Sequence, residues 1–189
     1  MGPYTDITDQ EKDAIMAYLK SGGSLMLMVG PSIIEKEEYK NIKDILKEYN
    51  LVLDDNFVCE SKEYCVQNYP TVILPRLMKS PITSDIYNNG LYIFMQGARS
   101  ISVLDPQKKD VSVIPILMTS DKSWGDVNYA SIADPKNDDI DKKGPLSVAA
   151  IAAKKEEGEN NYSKVMVYGN SDFVINYQVT GNWRIFTES

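Results

Sequence analysis

The 189-residue chain is 43% hydrophobic and 25% charged, the balance of one globular domain, which excludes a largely disordered chain. Its 27 acidic residues outnumber its 20 basic ones, for a formal net charge of −7. That balance argues against a nucleic-acid binder and against adsorption to an anionic membrane surface. The chain contains no histidine, which excludes Ser-His-Asp and Cys-His catalysis, Cys₂His₂ zinc sites and imidazole proton shuttling, and so shifts the weight from an enzyme toward a binding or structural module.

No apolar run is long enough to span a membrane. The start, Met1 to Asp6, lacks the basic start and apolar region of a signal peptide. Thr8-Asp9-Gln10-Glu11 is a capping box, and the helix it opens carries Ile15, Tyr18 and Leu19 on one face and stops at Gly22-Gly23. The apolar run Leu25–Val29 reads as a strand buried on both faces. A second amphipathic helix over Tyr39–Tyr49 closes at Asn50. Helix, buried strand, helix implies a parallel sheet with helices on its faces.

Leu51–Leu53 and Asn56–Cys59 read as a short extended pair around Asp54-Asp55. The middle of the chain, punctuated by Pro70, Pro75 and Pro81, offers strands at Thr71–Leu74, Leu91–Phe94, Ser100–Leu104 and Val111–Met118. Asn128–Lys143 is polar and irregular. Pro145–Ala153 reads as a strand, residues 155–161 as a hairpin or surface loop, and Ser163–Gly169 as a strand. In the turn after it, Ser171 or Asp172 is expected to cap a following helix.

Four stretches in this order resemble the domain of gliding-motility-type (GldG-like) ABC-transporter auxiliary proteins. They are Gly2–Thr8 with Glu11, Tyr18-Leu19 and Gly22–Leu25; Ile114–Ser120 with Ser123-Trp124; Gly144–Ala150; and Gly169–Phe173 with Asn182. Asn170 stands where the family has Asp. The resemblance implies an α/β, three-layer, mostly parallel sheet of flavodoxin-like or class I glutamine-amidotransferase-like type. It implies a single extracytoplasmic domain over residues 1–189, excised from a longer membrane-anchored protein. It also implies work beside the permease and ATPase subunits of an ABC transporter, at the extracytoplasmic face of the cell membrane.

Candidate site residues follow from position and chemistry. Thr119, Ser120 and Trp124 lie just past a sheet strand, where open α/β sheets bind ligands, so Trp124 either stacks on a sugar or peptide or packs its own loop. Gly169, Asn170, Ser171 and Asp172 form the strand-to-helix turn where an amidotransferase-like fold would place a nucleophile. Ser171 has no histidine to activate it, so that turn reads as a cap or an anion-binding helix start. Cys59 and Cys65 are either two free thiols or, in an oxidising compartment, a disulfide. Asp134, Asp138, Asp139 and Asp141 crowd one loop, but their spacing is not that of an EF-hand. No metal or cofactor is expected.

Two function classes remain. One is a non-catalytic binding or assembly domain of a transport system. The other is a His-free hydrolase acting on sugar or peptide through Asp121, Asp126 and Asp172, which needs two carboxyls about 5–9.5 Å apart across a cleft.

Overall fold

The structure is a computed structural model that describes residues 5–31, 38–128, 137–156 and 162–174, with positions 3 and 135. Gly2, Tyr4, Asp134, Asn182 and most of the expected hairpin at 155–161 lie outside the described residues.

The first helix, α1 (Asp9–Lys20), begins as its sequence dictates. The Glu11 amide donates to Thr8 Oγ1 at 3.2 Å, and the Thr8 amide donates back to Glu11 Oε2 at 2.8 Å. The Thr8 amide, then its hydroxyl, hold the Glu11 carboxyl below the usual range. The helix stops where Gly22 takes φ 88°, a left-handed conformation that a side chain resists.

The chain continues through β1 (Ser24–Met28), α2 (Lys40–Glu48), β2 (Leu51–Leu53), β3 (Phe57–Cys59), a 3₁₀ turn (Val66–Asn68), β4 (Val72–Ile73), β5 (Arg76–Leu77), α3 (Ser84–Asn88) and β6 (Met95–Gln96). It ends with β7 (Ile101–Val103), β8 (Val111–Met118), β9 (Trp124–Asp126), β10 (Lys142–Lys143), β11 (Ser147–Lys155), β12 (Tyr162–Tyr168) and a 3₁₀ turn (Asp172–Val174). Helix α2 has no cap of its own side chains. Asp6 supplies one from far upstream, accepting from the Asn41 amide at 2.6 Å and the Ile42 amide at 3.1 Å.

The main sheet has five strands in the order β1-β12-β11-β8-β5. Among the described residues only β1 and β12 run parallel; β12-β11, β11-β8 and β8-β5 are antiparallel. Three small sheets, β10-β9-β3, β2-β7 and β4-β6, surround it. Against one face pack α1, α2 and the β2-β7 pair, through Leu19, Ile42, Ile45, Leu46, Leu51 and Ile101 on Ala150, Ala152, Val165 and Val167. The other face buries Ile116, Leu117, Val148 and Ala149 under Val58, Ile73 and Met95 of β3, β4 and β6. Both layers exclude apolar surface from water, which is what stabilises the sheet between them.

This corrects the expected mostly parallel, flavodoxin-like or class I amidotransferase-like sheet. A parallel crossover needs a dozen or more residues. The short stretch between Lys155 and Tyr162 returns β12 antiparallel to β11 instead. Among the described residues β1 is an edge strand, with Met26 exposed, rather than a strand buried on both faces. β2 and β3 do not pair around Asp54-Asp55; β2 pairs with β7 and β3 with β9. Leu91–Phe94 is irregular, and the short strand there is Met95–Gln96.

Candidate functional site

The loop after β8 is tied down by its own hydroxyls. Thr119 Oγ1 accepts from the Leu146 amide at 2.7 Å and lies 2.6 Å from Ser123 Oγ. The amide and hydroxyl of Ser120 donate to the two Glu60 carboxylate oxygens, each at 2.7 Å. Thr119, Ser120, Ser123 and Glu60 are all buried, so this polar network is satisfied internally. Trp124 lies on β9 with its ring packed against Phe57 and Cys59. The structure thus uses Thr119, Ser120 and Trp124 as internal scaffold.

At the turn after β12, the Asn170 side chain does the capping. Its Oδ1 accepts from the Asp172 amide at 2.9 Å and the Phe173 amide at 2.8 Å, while its Nδ2 donates to the carbonyls of Gln96, at 2.8 Å, and Gly97, at 2.5 Å. Among the described residues Ser171 Oγ reaches only the neighbouring Asp172 carboxylate. The expected cap at Ser171 or Asp172 is therefore corrected to Asn170. Asn fits here because it donates and accepts at once, whereas a carboxylate would face two carbonyls. Gly169 is packed shut: a Cβ there would sit 2.0 Å from the Arg99 carbonyl oxygen.

Cys59 and Cys65 are both free thiols here. Burial first, then Asp126 and Asp141, push the Cys59 thiol up to about 12. Asp121 and Asp172 are exposed, Asp126 is buried, and none of the three lines either cleft described below. Asp138 and Asp139 are exposed, while Asp141 is buried and accepts from the amides of Val127 and Asp138 at 3.2 and 2.7 Å. Among the described residues, no cluster of three or more carboxylates and cysteines could hold a metal ion.

Among the described residues two clefts run along strand edges. The larger, about 530 Å³, follows Leu74 to Leu77 on one wall and faces Tyr87, Leu91 and Tyr92, with Glu63 and Tyr64 at one end. The polar loop supports it from behind. Arg76 Nη2 donates to the Thr119 carbonyl at 3.3 Å, and Lys122 Nζ pairs with Glu63 at 2.7 Å. Tyr87 and Tyr92 are 59% and 63% exposed, large apolar rings held at the surface with polar tips, as at binding surfaces.

The second cleft, about 400 Å³, lies between β7 and the sheet, lined by Ser100 to Val103, by Val113, Pro115 and Ala150, and by Lys142. Its polar side is a connected network. Asp54 accepts from Ser102 at 2.7 and 2.8 Å, from Ser100 at 2.5 Å and from Lys142 at 2.7 Å. Lys142 Nζ also donates to Ser102 Oγ. This serine–lysine contact has the shape of a nucleophile and its base. The Lys142 head is also held by Asp54 in an ion pair at 2.7 Å.

The sequence reading missed these cleft residues. Their signal was faint but present: Tyr64, Tyr87 and Tyr92 crowd the proline-punctuated middle of the chain, where neither helix nor strand periodicity accounts for them.

The domain is thus a mixed-sheet α/β fold with one cleft lined by aromatic rings and another along a strand edge. The chain belongs to the family described as "ABC-type uncharacterized transport system", whose model matches residues 1–188. That bears out the resemblance carried by the four motifs and makes the chain an auxiliary component of an ABC-type transport system. No curated protein matches the sequence. A solved structure described as "mmIFT52 N-terminal domain" is similar, with a TM-score of 0.62 and 19% identity over 98% of this chain and 71% of that one. At that identity the likeness shows the fold alone, and the fold it shows is not the flavodoxin-like one expected.

Proposed function

We propose that the chain is a non-catalytic binding and assembly domain, held at the extracytoplasmic face of the cell membrane, that engages the permease of its transport system and through it the ATPase. The observation that carries this reading is the make-up of the clefts. Each presents recognition groups, exposed tyrosines or an open strand edge, backed by polar networks whose buried members are occupied with holding the wall. Membership of a transport-system family supplies the partner class.

The test has two arms. A reporter enzyme that is active only outside the cytoplasm is fused to the full-length protein, and the protein is affinity-purified and searched for the permease and ATPase of its transport system. Reporter activity together with co-purification of those subunits is expected. A cytoplasmic reporter signal, or a transporter that purifies without the protein under conditions that keep its own subunits together, overturns the reading.

A further inference from the structure

The smaller cleft has a property that its apolar floor alone does not explain. In the β2-β7 pair, the Asp54 amide donates to the Ser100 carbonyl at 3.0 Å and the Leu104 amide to the Asn50 carbonyl at 2.8 Å. These bonds fix the phase of the ladder, with Leu51 opposite Val103 and Leu53 opposite Ile101 as its non-bonded positions. The N–H and C=O groups of Ile101 and Val103 therefore point away from β2. Among the described residues no strand pairs with that side of β7, and four successive residues, Ser100 to Val103, line the cleft. Alternating donors and acceptors along one extended edge are matched in spacing by another extended main chain.

We propose that this edge is a docking groove for an extended segment of a partner polypeptide, taken up by strand addition to β7. Small or β-branched side chains of the segment face the floor formed by Val113, Pro115 and Ala150. Lys142, fixed at the wall by Asp54 and Ser102, places a charge beside the edge. A charge there discourages indiscriminate edge-to-edge pairing, including pairing with a second copy of this chain. The proposal rests on the reading of the domain as an assembly module and names the surface that the module uses.

Val103→Pro is the direct test. It removes the outward N–H and puts a ring into the edge, while the bonds from Ser102 and Leu104 to β2 stay in place. Ser147→Trp is the second variant; it fills the cleft from β11 without touching β7. The probes are overlapping peptides covering the permease and the other subunits of the transporter, measured against wild type and both variants. The best binder is also made with alternate amides N-methylated, and circular dichroism confirms the fold of each variant. At least one peptide should bind wild type, bind each folded variant roughly tenfold or more weakly, and lose binding on N-methylation. Hydrogen exchange at the Ile101 and Val103 amides should slow in the complex. If Val103→Pro does not fold, Ser147→Trp decides alone. No binding peptide, or binding indifferent to the variants and to N-methylation, overturns the groove. Whole subunits that still co-purify in that case leave the assembly reading standing; their failure to co-purify removes that reading separately.

Discussion

Asn170 is one residue whose chemistry decides a local structure. It joins the end of β12 to the 96–97 segment by two donated bonds and caps the following turn by two accepted ones. Asn170→Asp keeps the acceptor but turns a carboxylate toward two carbonyls. It should lower unfolding stability by about 1–3 kcal/mol, whereas Ser171→Ala should leave the urea midpoint nearly unchanged; a larger loss at Ser171 would return the cap to it.

Asp126 carries a charge-linked prediction. Burial, with smaller contributions from Asp141 and Asp138, raises its carboxyl above the usual value, against the bond it accepts from the Asn128 amide at 2.7 Å. A carboxyl that holds its proton more tightly folded than unfolded contributes stability at low pH. That stability is lost as pH rises from the unfolded value through the folded one. Asp126→Asn keeps the acceptor and removes the loss, so its urea midpoint should gain on wild type as pH rises above the ordinary carboxylate range. Parallel curves would contradict this. At Cys59, a thiol pushed up to about 12 and buried should resist iodoacetamide in the native protein at pH 8 and react only through the urea transition.

Among the elements, the ones written in local chemistry were legible in the sequence. The Thr8–Glu11 capping box sets the start of α1 where its residues say, and Thr8→Ala should cost about 0.5–2 kcal/mol by thermal or urea unfolding. Strands β8, β11 and β12 fall on their apolar runs. What the sequence did not show is how those strands pair. An apolar run such as Leu25–Val29 is the same whether the strand is central or at an edge with one covered face, and here β1 shows Met26 to solvent. Long-range closures were equally hidden. Asp6 caps α2 across more than thirty residues, and Gly169 meets the Arg99 backbone, with its amide on the Val148 carbonyl at 2.9 Å and its carbonyl accepting from the Arg99 amide at 2.8 Å. Because backbone rather than a pliant side chain blocks that position, Gly169→Ala should cost at least about 1–3 kcal/mol. A variant as stable as wild type would show that the two segments can separate freely.

At the scale of the whole molecule, the site candidates taken from the sequence form a supporting frame. In the interior Thr119 bonds to Ser123 and Ser120 bonds to Glu60, and the surface they position, through Arg76 and the Lys122–Glu63 pair, is the tyrosine cleft. Such a cleft collects residues from segments far apart in the chain, Tyr64, Arg76 and Tyr92 among them, and no spacing rule links them. Family membership was legible because it rests on short motifs in order; the clefts were not, because they are products of packing. The central claim is that the domain works by being bound. The most direct measurement is binding of the purified domain to its own transporter in lipid nanodiscs, with each face of the transporter blocked in turn. Saturable binding is expected, lost when the extracytoplasmic face is blocked and kept when the cytoplasmic face is blocked. The absence of binding, or binding from the cytoplasmic face alone, would contradict it.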